Sequence, residues 1–135
     1  MKGMLDTINI AMAAIGAFLG TVLGGWDGFL YALLTFIILD YLTGVMVAIV
    51  EKKLCSEIGF RGIFKKVLIL FMVAVAHIID SKIIGNGSAV RTAVIFFYAS
   101  NEGISILENA SKLGLPIPDK LKMVLDQMCK EDEKK

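Results

Sequence analysis

Histidine occurs once in this chain, and cysteine and proline twice each. His77 alone cannot supply a catalytic triad, and no GxSxG, HExxH or phosphate-loop pattern accompanies it. Cys55 and Cys129 lie far apart, with no CxxC or Cys/His spacing, which argues against a disulfide framework or a metal site. The chain is therefore read as a non-enzyme without a cofactor. Both prolines stand near the end, at 116 and 118, where they terminate any helix arriving from upstream. The net charge of +1 offers no case for nucleic acid or an acidic substrate. Charge is also missing locally: across the 22 residues Phe29–Val50, only Asp40 is normally charged.

Apolar sequence is what the chain has in abundance. Hydrophobic residues make up 56% of it. With a mean hydropathy of +0.73 it is too apolar for an ordinary soluble domain. Four apolar stretches stand out, at 8–23, 29–50, 67–84 and 90–107. A helix needs roughly 20 residues to cross the hydrocarbon layer. The expected fold is an all-α integral membrane protein with four transmembrane helices, or three if the last does not cross, within residues 1–112. Residues 113–135 are expected to form a short cytoplasmic amphipathic helix and a charged tail. Asp119 is its candidate N-cap, and Leu121, Val124, Leu125 and Met128 form one apolar stripe. No small-residue cleavage site leads into a polar domain, so every hydrophobic segment is expected to be retained.

The basic residues orient this arrangement. With four spans and the N-terminus inside, 12 of the 14 Lys and Arg lie on the cytoplasmic side, and Lys82 and Arg91 lie outside. If the fourth stretch did not cross, eight would lie outside, against the positive-inside rule. Both termini are thus expected in the cytoplasm. The five cations between 51 and 66 are read as headgroup contacts.

Polar and small residues on these helices are the candidate functional groups. Ala13, Gly16, Gly20 and Gly24 share one face of the first span, where missing side chains let another backbone approach. Such a face marks either a helix contact, within or between subunits, or the general abundance of glycine in membrane helices. A carboxylate as deep as Asp40 costs about 2.5–3.5 kcal/mol on insertion scales, so it should point inward or be neutralised. Thr43 and Gly44 lie one turn further along the same face, and the three are read as an association site or as a polar brace within the bundle. In the fourth stretch Arg91, Tyr98, Asn101, Glu102, Ser105, Glu108, Asn109 and Lys112 fall in one arc of about 120°, interrupted by Val94. That arc is read first as a wall facing water, next as interior packing, and last as a flat interfacial helix. His77 and Asp80, three residues apart, form a rim pair or a proton relay.

Five segments occur in order: "DYLTG" at 40–44, "GIFKK" at 62–66, "HIID" at 77–80, "NEGISILEN" at 101–109 and "GLPIP" at 114–118. The series resembles the toxin-secretion/phage-lysis holin family over roughly residues 36–125. The matching positions are Asp40, Thr43, Gly44, Lys66, Asp80, Glu102, Ser105, Glu108, Asn109, Gly114, Pro116 and Pro118, while Cys55 departs from the expected pattern. The resemblance implies a small protein of the bacterial cytoplasmic membrane that oligomerises and opens lesions. Those lesions would release a cell-wall-degrading endolysin or a large toxin, without necessarily touching either. An antiholin would share the fold. From other classes, a small ion channel or transporter remains open. So does a membrane lipid kinase, although Glu102 and Glu108 lie about 9 Å apart along their helix, too far to share a metal easily.

Overall fold

The structure, a computed structural model, describes residues 1–124 and residue 127. Four helices account for most of it: α1 over Lys2–Leu23, α2 over Gly28–Val50, α3 over Ser56–Ile78 and α4 over Ala89–Lys112. A π-helical turn at Ile79–Ile84 continues α3. Three of these units are long and apolar enough to cross a membrane: Lys2–Leu23, Gly28–Val50 and Ser56–Ile84. The fourth expected span corresponds to α4. Its 24 residues include Arg91, Glu102, Glu108 and Lys112, and it falls outside that group. Residues 119–124 are helical, and the Lys122 N–H returns to Pro118 O, so Pro118 and not Asp119 stands at the cap position; Leu125, Met128, Cys129 and the charged tail lie outside the described residues.

Helix limits follow caps, not hydropathy. α1 ends where Gly24 takes a left-handed conformation (φ 91°) and its N–H returns to Gly20 O. α2 is capped by Asp27, whose Oδ1 accepts the N–H of Leu30 at 2.9 Å, satisfying one of the donors a helix start leaves unpaired. α3 starts at Ser56, eleven residues before the apolar stretch that marks it in the sequence. A helix propagates through polar residues as readily as apolar ones. Arg61, Lys65 and Lys66 therefore ride on α3 and are not part of a loop.

α2 and α4 lie side by side and run parallel: Asp27 meets Arg91, Phe29 meets Phe96 at 5.3 Å between ring centroids, and Asp40 meets Ser105. α3 packs against both in the opposite sense, while α1 touches α3. Leu30, Leu33 and Ile37 of α2 form a core with Val73 of α3 and Ile95 and Ala99 of α4, closed at one end by Leu23. Outside that seam large apolar side chains face outward, for example Phe18 at 67%, Phe64 at 65% and Ile83 at 75% exposure. Such an apolar exterior suits a chain whose solvent is lipid.

Candidate functional site

The buried stripe on α2 runs Leu30, Leu33, Ile37 and Val47, at helical steps of three, four and ten residues. Asp40 and Gly44 occupy the same register, so the one carboxylate in α2 is aimed between α3 and α4. Lys66 holds the matching place on α3, on a stripe that continues through Leu70 and Val73. Its Nζ donates to Asp40 Oδ2 at 2.6 Å and to Glu102 Oε2 at 2.9 Å. Ser105 Oγ donates to Asp40 Oδ1 at 2.5 Å, and Asn109 Nδ2 donates to the same oxygen at 3.2 Å and to Thr43 Oγ1 at 2.9 Å. The Lys66, Asp40 and Glu102 side chains are only 16%, 11% and 9% exposed.

Three helices thus share one network in which two carboxylates surround one ammonium. Each charge is expensive to desolvate, and the mutual attraction is retained only while all partners are present. Ser105 and Asn109 take up the remaining acceptor capacity of Asp40. A cleft of about 250 Å³ reaches this network from the α2–α3 turn. Its lining includes Tyr41, Ala48, Lys53, Ile58 and Gly59, with Asp40, Lys66, Ser105 and Asn109 among the polar residues.

A second polar layer closes the opposite end of the bundle. Arg91 Nε donates to Leu23 O at 2.6 Å, Nη2 to Gly25 O at 2.9 Å and Nη1 to Asp27 Oδ2 at 2.7 Å. One guanidinium therefore satisfies the carboxyl end of α1 and pairs with the cap of α2 from its position on α4. Its hydrogen bonding holds the Asp27 carboxyl below the usual carboxylate range, against a smaller opposing effect of burial. Asp80 accepts from the backbone N–H groups of Val90 and Arg91 at 3.1 and 2.8 Å, capping α4 from outside it. Asp80 is thus committed to the α4 backbone, while His77 packs beside Gly24.

The glycine face of α1 divides into two parts. A Cβ at Gly20 would fall 2.7 Å from Trp26 Nε1, which folds back to donate to Gly16 O at 2.9 Å. At Gly24 a Cβ would meet Arg91 Nε at 2.6 Å and His77 Nδ1 at 2.8 Å. Both close approaches occur within the chain. Ala13 is exposed, and a Cβ at Gly16 would meet nothing within 4 Å. Of the polar arc on α4, Arg91 and Glu102 are buried, and Tyr98, Ser105 and Asn109 are partly buried against the other helices. Asn101 and Glu108 are exposed.

The sequence reading missed Lys66 as the partner of Asp40, because hydropathy placed it at the edge of a basic loop. The signal was its spacing of three, four and seven residues from Ile69, Leu70 and Val73. Asp27 was missed too, although an Asp just ahead of an apolar run, here the run from Phe29, is an N-cap pattern. Among the described residues, no group of three or more His, Cys, Asp or Glu is arranged to hold a metal ion.

A match to the bacteriophage holin family covers residues 17–130. An uncharacterized 14.9 kDa protein of Clostridium perfringens is 46% identical over 129 residues, 95% of this chain and 97% of that protein. An uncharacterized protein of Listeria monocytogenes is 40% identical over 131 residues, 95% of this chain and 93% of its own length. A probable holin of Bacillus phage phi105 is 40% identical over 81 residues, 60% of this chain and 59% of that protein. No solved structure matches. The family match takes in both polar layers, from Asp27 to Asn109, and most of the sequence around them: the chain belongs to the bacteriophage holin family.

Proposed function

We propose that this protein acts as a holin in the bacterial cytoplasmic membrane, where copies associate and open lesions that release an endolysin or a large toxin. The observation that carries the reading is the polar face of α4. From Arg91 to Asn109 it spans about 27 Å of helix, close to the thickness of the hydrocarbon layer. Within one protomer Glu102, Ser105 and Arg91 of that face are paired with Lys66, Asp40 and Asp27, while Asn101 and Glu108 stay exposed. A lesion needs the same face turned toward water, which trades the internal pairs for hydration.

On this reading α4 crosses the membrane beside α2, both termini lie in the cytoplasm, and the basic α2–α3 turn faces inward. Ala13 and Gly16 are the open part of the α1 face through which copies meet, with Gly20 and Gly24 flanking it. Asp40, Thr43 and Gly44 serve association indirectly, by holding α4 until copies have gathered. Arg91, Tyr98, Asn101, Glu102, Ser105, Glu108 and Asn109 then line the opening.

Induced expression in bacterial cells tests the proposal, with a folded cytoplasmic reporter enzyme and potassium followed together in the medium. A holin releases both. Release of potassium alone marks a small-ion pathway, and suppression of lysis by a co-expressed holin marks an antiholin.

A further inference from the structure

The cleft beside the Asp40 network has walls and a mouth of different chemistry. Its walls are apolar, from Val45 and Ala48 on α2 and Ile58 on α3. Gly59 and Gly62 keep the α3 side low, so that only Tyr41 stands against it. The polar groups deepest in the cleft, Asp40, Lys66, Ser105 and Asn109, are bonded to one another. The mouth holds Lys53, and Lys52 precedes it. Lys52 is the one non-glycine residue with positive φ among the described residues (58°), a conformation in which glycine would be less strained. Arg61 and Lys65 add charge along the next turns of α3, Glu57 is taken up by Arg61 at 3.5 Å, and Glu51 is the remaining carboxylate of this turn.

From this juxtaposition we infer that the cleft seats one anionic phospholipid, its phosphate at Lys52 and Lys53 and an acyl chain along Ala48, Ile58 and Gly59. Charge complementarity selects this occupant. A second copy brought to the same face would set its lysines against these, and a zwitterionic lipid offers them a phosphate already paired with its own ammonium. The turn also joins two helices long and apolar enough to cross a membrane, and on that placement it lies at the depth of lipid phosphates. The assignment is independent of whether the protein opens lesions.

The test uses the full chain in detergent micelles, with phosphatidylglycerol and phosphatidylcholine of identical acyl chains supplied together and retained lipid counted by native mass spectrometry. Phosphatidylglycerol is expected to be retained in preference, and Lys53→Gln is expected to lower that preference about fivefold. Lys52→Gly is expected to lower it similarly while relieving the positive φ, so a loss there does not reflect misfolding. Gly59→Leu, which fills the cleft, is expected to reduce retention with the charges intact. Equal retention of the two lipids by the parent protein overturns the site. So does an equal loss from Lys82→Gln in the π-helical turn beyond α3, or displacement of the lipid by millimolar inorganic phosphate.

Discussion

Lys66 Nζ stands 2.6 Å from Asp40 Oδ2, joining two antiparallel helices across a sequence separation of 26 residues. The same ammonium reaches Glu102 on α4 at 2.9 Å, so a single side chain ties the three inner helices together.

Removing that ammonium leaves two carboxylates facing each other in a buried site. Lys66→Met is therefore expected to destabilise the bundle by about 3–5 kcal/mol, as for other broken buried pairs. Combining it with Asp40→Asn and Glu102→Gln should recover most of the loss, because no uncompensated charge remains. Thermal unfolding in detergent measures both, and a Lys66→Met protein as stable as the parent would refute the shared-ammonium arrangement.

Glu102→Leu removes charge from the middle of the α4 polar face while keeping a helix-favouring side chain. Insertion should be unchanged, and permeabilisation of induced cells should be delayed or abolished. Unaltered lysis timing would mean that this face does not meet water in the functional state.

The two halves of the α1 glycine face should respond differently. Gly16→Leu meets open space within the protomer and is expected to reduce cross-linked oligomers with little effect on Trp26 fluorescence. Gly20→Leu is expected to displace the Trp26 ring and shift its emission, since the new Cβ would fall within 3 Å of it. An unchanged ladder of cross-linked species in Gly16→Leu would place the contact elsewhere.

Arg91 holds the Asp27 carboxyl below its ordinary value, and this makes part of the stability pH-dependent. A depressed carboxylate contributes fully above its unfolded value, about 4, and the contribution is lost as pH falls through the lower folded value. Asp27→Asn should melt at a lower temperature than the parent at pH 7, and the gap should close below about pH 4. The Asp27 side chain is half exposed, so the gap should be small. A gap independent of pH would exclude the Arg91 pairing as its source.

Much of the fold is legible in the chain. The apolar runs located α1, α2 and α3, because the cost of placing polar groups in lipid accumulates residue by residue and needs no tertiary information. Asp40 announced itself for the same reason. The helix ends were less legible, since caps such as Asp27 and the Gly24 turn decide them, and α3 extends well upstream of its apolar run. The polar arc on α4 was visible as an arc, but what it faces was not.

The sequence by itself determined that this is a helical membrane protein with a carboxylate that must be neutralised. Which group neutralises it was decided only when three helices packed. α2 is apolar on every side, so hydropathy does not define its rotation, and Lys66 lies outside the apolar run that marks its own helix. Pairing charges 26 and 36 residues apart is a property of helix rotation and register, and those are set by the packing of Leu33, Ile37, Val73 and Ile95 against one another.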